Sequence, residues 1–220
     1  MTLPKNKFIR KNEIDLVLGV VGKRSEHKER DRLLIILAAA LGLRVTETVT
    51  LKAEAFRELG EGWVYVRSAK KRKGWQPCTR KEAKARKSRG YRNIERKIVG
   101  YGINERPEDR LPIPLDIANE VKTYLAKYVK GNSYLFPGKC KGRMSERTAF
   151  RLFSEYCVRA GIGHKSFHAL RHYRGFTVQA AKGDIDWTRR MLRHSTTTMT
   201  QIYTERTPDE VRKLADEIGW

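Results

Sequence analysis

From Leu33 to Leu41 nearly every position is apolar, and a polar segment, Lys28-Glu-Arg-Asp-Arg32, precedes it. A helix apolar on all sides has no face to give to water and must sit inside the molecule. Residues 30–41 are therefore predicted to form a buried helix, with Gly42 as its natural stop. Upstream, Asn12 followed by EIDLVLGVV reads as a capped helix start, closed by Gly22 and Ser25. Thr46 is expected to cap a short helix running to Leu51.

The period then changes. Gly62-Trp-Val-Tyr-Val-Arg67 alternates as a strand does, and Asp109–Pro114 reads as a short partner strand limited by its prolines. Helical patterns resume over 116–129, and Phe136-Pro-Gly138 is a turn. Ser145 is expected to cap a helix through Arg159 with Phe150, Phe153 and Val158 among its apolar positions. A further helix is predicted from Phe167 to Lys182, stopped by Gly183, then short helices over 185–192 and 197–204. Thr207-Pro-Asp-Glu210 combines a hydroxyl cap, proline at N1 and glutamate at N3, the start of a tail helix over 207–220. The expected fold class is mainly α (α+β), helical with one small antiparallel sheet. No repeat is visible, and residues 1–220 are expected to form a single domain with an insertion of about 71–108 between the two strands.

Composition adds a core and a charge. Forty per cent of the 220 residues are hydrophobic, enough for a packed interior, and no apolar run is long enough to span a membrane. Three cysteines without a CxxC pair argue against a disulfide framework or zinc site, so a cytoplasmic location is expected. Lys and Arg number 47 against 25 Asp and Glu, a net charge of +22. Such an excess repels itself unless a polyanion is near, and nucleic-acid phosphate is the obvious partner. A ribosomal-type RNA binder or a merely solvated basic surface would share this balance. The excess is concentrated: between Arg67 and Lys97 there are 14 Lys/Arg and two Glu. Lys71, Arg72, Lys73, Arg80, Lys81, Lys84, Arg86, Lys87 and Arg89 are the expected backbone contacts, on a loop or an exposed helix around 80–87.

Three boxes carry candidate chemistry. In His168-Ala-Leu-Arg171-His172, spacings of three and four place the polar side chains on one helical face. In Gly42-Leu-Arg44-Val-Thr-Glu47 an arginine follows the buried helix, with a carboxylate three residues on that can orient it; a guanidinium fork matches two phosphate oxygens. Leu192-Arg-His194-Ser-Thr-Thr-Thr-Met-Thr-Gln-Ile-Tyr203 ends in a tyrosine that could act as a nucleophile if bases and donors surround it.

Taken in order, GLRVTE, a strand followed by lysines, HALRH and LRHSTTTMTQIYT resemble the tyrosine recombinase (phage integrase) family over about residues 12–206. The resemblance implies a DNA strand transferase that needs neither metal nor ATP and works on double-stranded DNA. By position it implies that Arg44 and Arg171 clamp the scissile phosphate, and that Tyr203 attacks it to give a 3′-phosphotyrosine. His168 would take or position the phenol's proton, His194 would bond the phosphate, and Glu47 would brace the site. Lys70 would protonate the leaving 5′-oxygen, with Lys71 and Lys73 as rivals. The cations and His168 are expected to favour the phenolate of Tyr203. A tetramer on DNA, assembled through the C-terminal helix, is also implied.

The chain departs from the family pattern at Arg193, where glycine is usual, and at Tyr173, where a small hydroxyl residue is commoner. Its insertion is long, and about 30 residues precede the first buried helix, so no separate N-terminal DNA-binding domain is expected. A non-catalytic DNA-binding module and a type IB topoisomerase are the competing readings.

Overall fold

The computed structural model describes residues 7–68, 73–77, 79–89, 96–100, 108–131, 133–138, 142–194 and 196–203. In chain order the elements are α1 (Lys11–Arg24), α2 (Lys28–Leu41), α3 (Val45–Val49), β1 (Trp63–Arg67), β2 (Lys73–Pro77), α4 (Arg80–Ser88), β3 (Arg96–Gly100), β4 (Glu108–Pro112), α5 (Leu115–Tyr128), α6 (Glu146–Arg159), α7 (His168–Lys182) and α8 (Ile185–Leu192). Short 3-10 turns lie at Ala53–Phe56, Leu59–Glu61, Thr197–Met199 and Gln201–Tyr203. The fold is mostly helical, as the hydrophobic pattern predicts.

The described residues fall into two units, one from 7–66 with 110–203 and one from 67–109. In the larger, α2 buries Leu33, Leu34, Ile35, Leu37, Ala38, Ala39 and Leu41 and packs against α1, α5 and α7. Asp31, itself buried, accepts hydrogen bonds from Ser25 (2.7 Å) and Tyr156 (2.6 Å), tying the end of α1 and the middle of α6 to α2. A buried carboxylate is tolerable when such donors and a cation, here Arg30, satisfy it. Strand β1 pairs with β4. The Ile113 N–H reaches the Gly62 carbonyl at one end and Arg67 pairs with Glu108 at the other, so the two run antiparallel.

In the smaller unit β2 and β3 pair antiparallel, with Lys73 opposite Gly100 and Pro77 opposite Arg96. Between them α4 opens on a full capping box: Thr79 Oγ1 accepts the Glu82 N–H, and the Glu82 carboxylate accepts the Thr79 N–H. None of its residues is buried, in line with an exposed basic helix.

Four local expectations change. Helix α1 starts two residues earlier, capped at Arg10, because the Glu13 carboxylate takes the Arg10 N–H at 2.7 Å; Asn12 lies in the first turn. Helix α3 is capped at Arg44 rather than Thr46 for the same reason, the Glu47 carboxylate folding back onto the Arg44 N–H at 2.8 Å. In α6 the buried stripe is Ala149, Phe153, Tyr156 and Cys157, which leaves Phe150 and Val158 exposed about 100° off it. Within the predicted helix over 197–204 the described residues form two 3-10 turns, Thr197–Met199 and Gln201–Tyr203, with Tyr203 buried.

Candidate active site

Helix α7 runs through the centre of the larger unit and buries Arg171, His172, Tyr173, Gly175 and Phe176. Three other pieces meet it: the α2–α3 junction carrying Arg44 and Glu47, the end of α8 carrying Arg193 and His194, and the turn ending in Tyr203. Sequence-predicted Arg44, Glu47, His168, Arg171, His194 and Tyr203 are thus brought together. Lys70, Lys71, Arg72 and the tail 207–220 lie outside the described residues, as does the side chain of Lys73.

Glu47 is the hub. Its side chain is fully buried and accepts from Arg44 Nη1 at 2.8 Å and from Arg193 Nη2 at 2.7 Å, with Arg171 Nη1 3.9 Å away. Burial pulls the carboxyl upward in pKa, but Arg193 first, then Arg44 with its backbone N–H, and Arg171 pull harder, and the value ends below normal. Three guanidinium groups around one carboxylate leave an excess of positive charge in a place water scarcely reaches. An added anion would relieve it.

Arg171 is fully buried and donates to the carbonyls of Gly42 (2.5 Å) and Leu192. These lie at the C-terminal ends of α2 and α8, where helices leave carbonyls unsatisfied and favour cations. Burial and then the nearby Arg44 charge lower its pKa to about 9. Its Nε has no partner.

Tyr203 is 1% exposed. Its ring stands edge-on to Phe176 at 5.0 Å between centroids and nearly parallel to the His194 ring at 6.3 Å. Space for it comes from Gly175, where a Cβ would lie 2.6 and 2.9 Å from Cε1 and Cε2 of the ring. The phenol oxygen lies 3.1 Å from Nδ1 of His172. The imidazole within hydrogen-bond reach of the phenol oxygen is that of His172, and His168 stands edge-on against His172 at 4.6 Å. One expectation is corrected here: the cations do not carry the phenol toward phenolate, because burial outweighs Arg171 and Arg44 and pushes it up to about 12.

Two of the site's histidines, His168 and His172, are held toward the neutral form. Burial, then His168 and Lys7, push His172 down to about 3. His168 is exposed as a residue, yet desolvation of its ring first, and then the charges of Arg171 and Arg44, push it down to about 4. His194 is buried, with Nδ1 3.0 Å from the hydroxyl of buried Thr200, which holds the ring in place. Tyr173 is buried in the core, one of the two surroundings, core or solvent, open to a residue about 200° around the helix from Arg171.

Sequence reasoning placed His172 on the shared helical face but gave it no role, and it passed over Gly175 and Thr200. The signals were present: a second histidine four residues after His168, a glycine in mid-helix and a run of threonines before Tyr203. Among the described residues, no group of three His, Cys, Asp or Glu could hold a metal ion, and no helix is long and apolar enough to cross a membrane.

The fold and this ordered set of residues define a class, and comparison agrees: the chain belongs to the phage integrase family, whose model matches residues 7–210. It is 28% identical over 218 residues to tyrosine recombinase XerA of Pyrococcus furiosus, covering 98% of this chain and 62% of that protein. The chain spans about three-fifths of the length of the XerA relatives it matches. Its fold is similar to the crystal structure of XerA recombinase, with a TM-score of 0.66 at 20% identity over 95% of this chain and 64% of the other. It is also similar to XerH site-specific recombinase bound to difH substrate, with a TM-score of 0.65 at 18% identity, over 92% and 50%.

Proposed function

We propose that the chain is the catalytic domain of a site-specific DNA recombinase that cleaves and rejoins double-stranded DNA through a 3′-phosphotyrosine. The observation that carries this reading is the cluster of three arginines on Glu47 beside Tyr203, a site short of one anion. Family membership and the likeness to XerA support it.

In this mechanism the scissile phosphate supplies the missing charge. Arg44, whose side chain keeps 18% of its surface exposed, and Arg171, with its unpartnered Nε, provide donors for the non-bridging oxygens. His194 adds a further donor. Tyr203 leaves His172 and attacks phosphorus, forming the Oη–P bond as the P–O5′ bond breaks. Its proton passes to the neutral His168, while Lys70 protonates the departing 5′-oxygen. The phosphotyrosine retains the bond energy, so the reverse attack by a 5′-hydroxyl reseals the strand. Fixed cations and an in-line nucleophile supply what a phosphodiester lacks in intrinsic reactivity. A nicked suicide duplex tests the reading, because the 5′ fragment escapes and traps the adduct. DNA binding with no adduct would leave a regulatory binding module in its place.

Lys70→Ala should slow cleavage of an ordinary duplex by orders of magnitude, as expected for loss of a general acid worth about 100-fold or more. It should recover on a substrate with sulfur at the 5′-bridging position, which departs without a proton. Rescue of Lys73→Ala instead would move the role to that residue.

The basic insertion is proposed to grip the DNA backbone. Arg80, Lys81, Lys84, Lys87 and Arg89 are exposed on or just after α4, and Arg86 is half-buried. Replacing all six by glutamine should weaken binding and flatten its salt dependence, by about 0.9 in log–log slope for each phosphate no longer neutralised. An unchanged slope would make α4 solvated surface only. The tail 207–220 is proposed to join protomers into a tetramer on DNA.

A further inference from the structure

Arg193 is the one described non-glycine residue with a positive φ, 55°, where L side chains are strained. It caps α8, its N–H returning to the Arg189 and Arg190 carbonyls, a position for which glycine is the natural choice. An arginine there makes the cap harder to form, so a gain elsewhere is expected. That gain is visible in the side chain, which is 8% exposed and reaches back 146 positions in sequence to Glu47, meeting Oε2 at 2.7 Å. Its Nε and Nη1 are buried without partners, so the guanidinium is held in place chiefly by that carboxylate. The next residue is His194, and nine residues further on is Tyr203. Arg193 therefore ties the segment bearing both groups to the carboxylate that also orients Arg44.

We propose that Arg193 is a positioning residue for DNA cleavage in this chain, acting through Glu47 to hold the His194–Tyr203 segment in register with the arginines that receive the phosphate. The proposal rests on the recombinase reading above. Glu47 is faced by Arg44 from the start of α3, by Arg171 of α7 and by Arg193 from the end of α8, with His168 of α7 near enough to interact. Of these Arg193 exerts the strongest pull toward the ionised carboxylate. Removing it leaves burial less opposed, so Glu47 takes up a proton at higher pH.

The test compares Arg193→Gly and Arg193→Asn, both of which tolerate the left-handed cap. Adduct formation on a nicked suicide duplex is followed in single turnover at saturating DNA across pH. Both variants should bind DNA as the parent does and slow adduct formation about 10-fold or more, the scale of a small misplacement of reacting groups. The acid limb of the rate profile should move to higher pH. In a Glu47→Gln background, Arg193→Gly should slow the reaction no further. Parental rates with an unmoved acid limb would overturn the proposal. So would a loss that vanishes at higher DNA concentration, or additive slowing with Glu47→Gln. If the parent protein itself formed no adduct, the recombinase reading would fail instead.

Discussion

Tyr203→Phe is expected to bind the nicked duplex as the parent protein does and to form no covalent adduct at any time point. The substitution removes one oxygen and keeps the ring that fills the space over Gly175 and against Phe176. Losing the hydrogen bond to His172 costs about 1 kcal/mol, a few degrees in Tm, so the variant stays folded. Proteolysis of the parent adduct should place DNA on the peptide containing Gln201-Ile-Tyr203. Tyr173 is the neighbouring competitor, but it is buried in the core, and a residue two positions on along a helix points about 200° from Arg171. An adduct on Tyr173, or activity in Tyr203→Phe, would sink the assignment. Because the free protein keeps the phenol buried and neutral, the rate of adduct formation should also include a step that exposes it once DNA is bound.

The largest expected effect on stability belongs to Glu47. Glu47→Gln keeps the shape and removes the charge, leaving Arg44, Arg171 and Arg193 with a neutral amide among them. Breaking a buried ionic cluster on one side costs about 3–5 kcal/mol. For a chain of this size that is on the order of 10 °C in Tm at neutral pH. The pH dependence has a definite sign. Glu47 titrates below its ordinary value of 4.5 in the fold, so its contribution is fully present above that value and is lost as pH falls through the folded pKa. The gap between parent and variant should therefore close in acid. His172, lowered from 6.5 to about 3, also makes both proteins lose stability over that range and cancels in the difference. Calorimetry of the two proteins as a function of pH measures the gap directly. Equal Tm values at neutral pH would show that the arginines do not depend on this carboxylate.

Much of the helical scaffold was legible because its signals are local. The apolar run of α2 and Gly42, the Ser145 cap of α6 and the Gly183 stop of α7 each depend on a few adjacent residues, and each appears where the pattern predicts. The errors were local contests. At Arg10 and Arg44 a glutamate three residues on takes the cap N–H, so the acid and not Asn12 or Thr46 marks the start. The order of chemical boxes likewise marks Arg44, Glu47, His168, Arg171, His194 and Tyr203 as neighbours, through the family pattern that the order matches.

What the sequence determined by itself is therefore the inventory: which helices form, where they stop and which reactive groups they carry. Tertiary structure alone decided how those groups are matched. His168 and His172 lie on one helical face with equal chemistry, and only the burial of Tyr203 over Gly175 selects His172 as the ring that meets the phenol before DNA is bound. Arg171 meets carbonyls 129 and 21 positions away, and Arg193 meets a carboxylate 146 positions away. Periodicity reports which side of an element faces inward; it carries no distance between elements. Hydrogen bonding and desolvation act over a few ångströms, so partners and protonation states are settled only when the helices have packed.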